Sequence, residues 1–355
     1  QQALIRPTVN DIARVAGVSL ATVDRVLNER AGVRSVTIDR VNRAIHELGY
    51  VRDTAAASLA RRRFYQLLFI LPRTENEFVK ALESEFADQH DKLQHQRVNT
   101  TLQTTAPFDP TELVRAIDAV DPGVTDGIAV FGPETPSVRD AVRRAKERGL
   151  AVVSLISDLP NSPRDHFVGI DNVAAGRTAA ELMGRFVQGA GKILVLTGSR
   201  LARDHLERRS GFDAVIGRDF TNLDVVASLE GRDDPKLIQS LLPPVFESNP
   251  DIRGIYSSAA GNPGLIQFLE QTGRSKDLTV IAHELTPASR TALRAHTIDA
   301  IISQDTGHLV RSATRLLKAV VDKTPVDATQ ERIRIDIYLR ENIPPDPHVS
   351  SEEER

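Results

Sequence analysis

The chain has 355 residues, is 41% apolar and carries a formal charge of -3 at pH 7, which allows two or three folding units with a sizeable core. Cysteine is absent, so neither a disulfide framework nor a thiolate metal site is available. No apolar run is long enough for a membrane span or, at residues 1–9, for a signal peptide, and a soluble cytoplasmic protein is expected.

In chain order, residues 8–30, TVNDIARVAGVSLATVDRVLNER, predict two short helices around a tight AGVS turn. Thr8 and Ser19 can cap the two helices, and Gly17 sits where the chain must turn sharply. Val9, Ile12, Ala13 and Ala16 recur at helical spacing in the first helix. Val18, Val23, Val26 and Leu27 face it from the second, which leaves Leu20, Ala21, Asp24, Arg25 and Asn28 on the opposite side. That side is the one a helix-turn-helix shows to the major groove. A third amphipathic helix, Thr37 to Leu48, carries Val41, Ile45 and Leu48 on one face and stops at Gly49. Then follow TyrValArgAsp at 50–53 and TAAASLARRR at 54–63, a segment that can be coil alone and helix on a partner. Residues 1–63 hold 11 Arg and no Lys against 4 Asp and 2 Glu, a net +5, so with -3 overall the remaining chain carries -8. Basic charge therefore coincides with the helix-turn-helix, where nucleic acid would bind.

These segments resemble the LacI/GalR family of bacterial transcription regulators. The resemblance rests on VNDIARVAGVSLATVDRVLN, on the spacing to ELGYVRD and on AAASLARRR, and it extends to about residue 343. It implies a headpiece at residues 1–53, including Tyr50, and a hinge helix at 54–63 that enters the minor groove from each subunit of a homodimer. Leu59 would be its wedge between base pairs. By the same likeness Leu20 and Ala21 influence operator choice, Arg25 contacts base or phosphate, and Thr8, Ser19, Thr22, Asn28 and Thr37 bond phosphates. Asp24 departs from the serine common there; it either accepts from a cytosine amino group or pairs with a neighbouring arginine.

From residue 65 short apolar runs alternate with amphipathic helices, the signature of parallel sheets. Strands are expected at 66–71, 96–101, 127–131, 151–156, 167–170, 192–197, 224–229, 254–257, 279–283 and 300–303. Ten strands read best as two doubly wound lobes whose strand carboxyl ends face a shared cleft. The whole is then a small all-α headpiece plus an α/β two-lobed core similar to the type I periplasmic binding proteins for ribose and related sugars. That likeness implies three crossings between lobes, placed near Pro163, within Pro287 to Asp305, and near Ala328. The near lobe would hold residues 64–165 and 305–328, the far lobe 166–304 and 329–343, and a disordered tail 344–355.

Cleft residues come from the loops at strand ends. Asn76 and Phe78 supply an amide and an aromatic ring, a pairing suited to sugar hydroxyls and a sugar face. Ser157 and Asp158 stand where the sugar-binding relatives place a carboxylate. Arg208, three residues before Gly211, matches the family arginine that reaches the ligand. In YSSAAGNPG the family's asparagine-aspartate pair is absent; Ser258 is the direct match and Asn262 a substitute amide. Glu284 takes the place of a family aspartate, His283 beside it is equally an interior histidine, and Gln304 and Asp305 align with a hinge glutamine.

Enzyme signatures fail. GAGK at 189–192 has Phe186 at the first phosphate-loop glycine and Ile193 at the Ser/Thr, and neither HExxH nor GxSxG occurs. No cofactor, metal or membrane is expected. The partners are double-stranded operator DNA and a small effector, a sugar, polyol or sugar acid. The competing readings are a co-repressor-dependent regulator of a non-sugar metabolite such as a purine, disfavoured by 5% aromatics and no Trp, and a sugar transport protein, which has no use for residues 1–63.

Overall fold

The computed structural model describes residues 7–27, 30–50, 64–226, 228–259 and 262–345, and the chain separates into two compact units, residues 1–63 and 64–355. The first unit is three helices, α1 (Val9–Ala16), α2 (Leu20–Leu27) and α3 (Ser35–Leu48). Thr8 and Asp11 form a reciprocal cap: the Thr8 hydroxyl accepts from the Asp11 N–H, and the Asp11 carboxylate accepts from the Thr8 N–H at 2.9 Å. Gly17 ends α1 in the left-handed region at φ 61, and Ser19 Oγ accepts the Thr22 N–H at 3.2 Å to open α2. Ile12, Val23 and Val41 are fully buried at the centre. Val9 is exposed instead, because it opens α1 beyond the reach of the other two helices. Helix α3 starts two residues before Thr37, since the Thr37 and Ile38 N–H groups both bond the Arg34 carbonyl. The expected hinge at 54–63 and residues 346–355 of the expected tail lie outside the described residues.

The second unit contains two sheets. One has β1 (Tyr65–Pro72), β2 (Val98–Thr105), β3 (Gly127–Val130), β4 (Ala151–Leu155) and β5 (His166–Val168), all parallel, in the order β2-β1-β3-β4-β5. On one face lie α4 (Glu77–Asp88) and α13 (Thr306–Asp322), on the other α6 (Pro110–Asp118) and α7 (Pro136–Glu147); α5 (His90–His95) leads into β2. The alternation is direct: Phe69, Leu71 and Val153 pack toward α4, whereas Ile70, Ile128 and Val152 pack toward α6 and α7.

The second sheet is built from β6 (Gly191–Thr197), β7 (Leu223–Val225), β8 (Leu229–Glu230), β9 (Ile252–Ser257), β10 (Thr279–His283), β11 (Ala300–Ser303) and β12 (Asp336–Tyr338). Its order is β12-β11-β10-β9-β6-β7, with β8 paired to β6. Helices α8 (Asn172–Phe186) and α9 (Arg203–Asp219) cover one face, and α10 (Pro235–Ser248), α11 (Asn262–Thr272) and α12 (Pro287–Arg294) the other.

Four details differ from the sequence reading. Strand β2 runs later than 96–101, because Arg97 turns through φ 58 before the threonine-rich run pairs with β1 residue by residue. The strand expected at 224–229 is two short ones, which pair with opposite ends of β6. Strand β12 is antiparallel to β11 and too short to leave a sequence pattern. The first crossing follows Val168 rather than Pro163, since residues 166–168 pair with β4 and so belong to the lobe of the first sheet. The chain returns between Ser303 and Thr306, and crosses again between Asp322 and Asp336.

Candidate functional site

On the first unit, Leu20, Ala21, Asp24 and Arg25 are all exposed on α2, with Leu20 at 48% an apolar side chain left in water. Asp24 stands 3.4 Å from Arg30, the arginine pairing of its two expected alternatives. The Ser19 and Thr22 hydroxyls bond each other at 2.9 Å and the Thr8 hydroxyl donates to Asp11 at 2.8 Å, so each is already oriented. Thr37 is half-buried, and Tyr50 packs against the headpiece core rather than projecting. Asn28 and Leu59 lie outside the described residues.

In the second unit a cleft opens between the two sheets. Its wall is made of strand carboxyl ends: Asn76 and Phe78 after β1, Phe108 after β2, Phe131 after β3, Ile156 and Ser157 after β4, then Asp204, His205 and Arg208 from α9, Arg232 after β8, and Glu284 after β10. Five of the nine non-glycine residues with positive φ among those described line it: Phe108, Ile156, Arg232, Asp233 and Glu284. Such conformations persist where surrounding structure fixes them, and they gather at binding sites.

Arg208 is the centre of the floor, only 2% exposed. Its Nε donates to Asn172 Oδ1 at 2.9 Å, its Nη1 to the Ser258 carbonyl at 2.9 Å, and its Nη2 lies 3.6 Å from Glu284 Oε1. Gln304 Nε2 donates to the same Glu284 oxygen at 2.9 Å. Burial pushes the Glu284 carboxyl above the usual carboxylate range, with the Arg208 charge opposing. Arg208 is placed by a close helix crossing: a Cβ on Gly176 would overlap the Arg208 carbonyl, and one on Gly211 the Val173 carbonyl.

Hydrogen bonds join the lobes across the cleft, among them Asn172 Nδ2 to the Ile156 carbonyl at 3.3 Å and three more. The Asp204 N–H donates to Ser157 Oγ at 3.3 Å, the Ala288 N–H at the start of α12 to Glu77 Oε2 at 3.2 Å, and the Glu134 N–H to the Leu201 carbonyl at 3.3 Å.

Of the residues expected in the cleft, Asn76, Phe78, Ser157, Arg208 and Glu284 line it. Ser258, Asn262 and Gln304 stand behind it. Ser258 presents its carbonyl to Arg208 and its hydroxyl to the Leu196 carbonyl, and Asn262 bonds the His283 carbonyl and Ser257 Oγ. Asp158 is not a cleft residue: Arg164 takes both its oxygens, at 2.5 and 2.6 Å, and turns the carboxylate away. Asp305 is not one either, because it caps α13 through the His308 N–H at 2.8 Å. His283 is interior, 2.8 Å from the Tyr256 hydroxyl, and burial lowers its pKa so that it stays neutral. Missed were Phe108, Phe131, His205, Arg232 and Asp204. The last had a signal, since Asp204 and Arg208 are four apart and share one helix face.

A helix-turn-helix in one chain with a two-lobed cleft domain defines a ligand-responsive DNA-binding regulator. Residues 8–53 match the lacI family of bacterial regulatory proteins, and residues 67–325 the periplasmic binding protein domain. The chain belongs to the lacI family of transcription regulators. It is 24% identical over 338 residues to the ribose operon repressor of Halalkalibacterium halodurans, covering 94% of this chain and 96% of that one. It is 26% identical to the HTH-type transcriptional regulator DegA of Bacillus subtilis over 178 residues, half of this chain and 51% of DegA, so the chain spans about half the length of that relative. Its core has the fold of GanP, a glucose-galactose binding protein from Geobacillus stearothermophilus, at TM-score 0.71 and 20% identity over 79% of this chain and 99% of GanP. No helix among the described residues is long and apolar enough to cross a membrane.

Proposed function

We propose that this regulator is a homodimeric repressor of genes for carbohydrate uptake or catabolism, released from a palindromic operator when a sugar-like effector occupies the cleft. The observation that carries this reading is the cleft floor. Arg208 lies there among buried acceptors, and Phe78, Phe108 and Phe131 stand around it, a combination suited to a hydroxyl-rich ring. The likeness to a ribose operon repressor along nearly the whole chain supports the same class of effector. The cleft acts as a receptor and performs no chemistry.

The coupling is a population shift. An effector that favours the non-binding arrangement by about 2.7 kcal/mol changes operator affinity roughly 100-fold, and operator must change effector affinity by the same factor. A hinge segment of about ten residues is marginal as an isolated helix, so paired hinges on DNA are the element such a shift would dissolve. Titration of the protein against genomic fragments should find sites far tighter than bulk DNA; failure to find any would remove the regulator reading for this chain. A thermal-shift screen of pentoses, hexoses, polyols and sugar acids identifies the effector. Leu59→Ala should weaken operator binding at least about tenfold while leaving random duplex nearly unaffected, and equal loss on both would count against a wedge.

A further inference from the structure

The floor of the cleft has more acceptors than donors. Asp204 Oδ1 and Glu284 Oε2 have no hydrogen-bond partner among the described residues, although the two residues are only 3% and 4% exposed and both line the cavity. Behind them Gln304 Oε1 is likewise buried and unpartnered. Native structures rarely leave such atoms unsatisfied, and a bare carboxylate oxygen is the most costly kind.

The charge is unbalanced in the same place. Among the buried groups of the floor two carboxylates, Asp204 and Glu284, face one guanidinium, Arg208, which already divides its donors among Asn172, the Ser258 carbonyl and Glu284; Arg232 and Asp233, which also line the cleft, carry opposite charges, and neither is buried. His205 is already engaged: its Nδ1 lies 3.3 Å from the Ser199 N–H, and its Nε2 lies 3.6 Å from Asp204 Oδ2. Sugar hydroxyls would satisfy single lone pairs here and bring no positive charge to the two carboxyl groups. An ammonium supplies up to three donors and the missing positive charge together.

We propose that the effector is a cationic carbohydrate, an amino or imino sugar, whose protonated nitrogen sits between Asp204 Oδ1 and Glu284 Oε2. The inference rests on the reading of the cleft as a carbohydrate receptor and names its ligand class more closely. The nitrogen is held by the two carboxylates, the ring lies toward Phe78 and Phe108, and Arg208 fixes the spacing of the acceptors.

Calorimetric titration of the full chain with glucosamine, galactosamine, mannosamine and 1-deoxynojirimycin tests it, each beside its neutral counterpart: the parent hexose, the N-acetyl derivative of each hexosamine, and 1,5-anhydroglucitol for the imino sugar. One amine should bind roughly tenfold or more tightly than its neutral counterparts, the size expected for a charge-assisted bond. Asp204→Asn and Glu284→Gln should each abolish that preference. If either variant folds poorly, the amine against N-acetyl comparison on the unaltered protein still decides the matter. Neutral sugars binding as well as or better than every amine overturn the inference and leave the proposed function standing. Silence of all carbohydrates overturns both, and an amine preference that survives in both variants overturns the placement.

Discussion

Glu284 ends β10 with φ 68, and Ile156 ends β4 in the other lobe with φ 67. Conformations of this kind cost about 1–3 kcal/mol each, and here they hold two cleft residues at equivalent strand ends. Because burial raises the Glu284 pKa above its ordinary 4.5, the folded chain holds that proton more tightly than the unfolded chain does. Its contribution to stability is therefore complete below the ordinary value and is lost as pH rises through the elevated one. As pH is raised above the ordinary 4.5, the melting temperature of the effector-free protein should fall less in Glu284→Gln than in the parent, and an unchanged slope would count against the shift. Asp158 behaves oppositely. Burial raises its pKa, but Arg164, Ser154 and the Leu159 N–H outweigh that, so its contribution is present above the ordinary range and lost as pH falls. Asp158→Asn should cost about 1–3 kcal/mol in denaturant unfolding and leave effector affinity within about threefold. Family likeness made Arg208 and Glu284 legible, the one by its spacing to Gly211 and the other by its place at a strand end. It misplaced Asp158, since nothing in LISDLP reveals that Arg164, six residues on, folds back onto it.

The crossing of α8 and α9 is the element on which the site depends. Gly176 and Gly211 let the two backbones touch, and Arg208 rides on that contact three residues before Gly211. Gly211→Ala should lower stability by about 1–3 kcal/mol by forcing the helices apart, and should weaken effector binding by displacing the guanidinium. Gly217 on the same helix has open space around its Cβ position, so Gly217→Ala should be stabilising by about 0.5–1 kcal/mol. Similar gains in both variants would mean that helix propensity, not the crossing, governs the result. Helix starts carry local signals: Thr8 caps α1, and Asp109 and Thr135 cap α6 and α7, each followed by a proline that opens the helix. Strand ends were harder to read: β2 carries exposed Leu102 and a polar threonine run, and β7 and β8 owe their separation to β6 rather than to their own residues.

At the scale of the whole molecule, the two-part organisation was visible in charge alone, +5 over residues 1–63 against -8 in the remainder. Alternating apolar strands and helices gave the doubly wound core, because inner strands such as β3, β4 and β11 are buried on both faces. What no single segment could give was the set of contacts made between lobes, which joins residues distant in sequence, 47 positions apart for Ser157 and Asp204 and 211 for Glu77 and Ala288. Those contacts also have a meaning in time. A molecule held in the cleft cannot leave until the Glu77 and Glu134 bonds across its edge have opened, so its departure is gated while its arrival in an open form is not. Glu77→Ala should quicken effector release by roughly fivefold in stopped-flow exchange, as loss of one such bond implies, with little change in the association rate. The dwell of the effector, more than its concentration at the moment of encounter, would then set how long the regulator remembers a passing supply of nutrient.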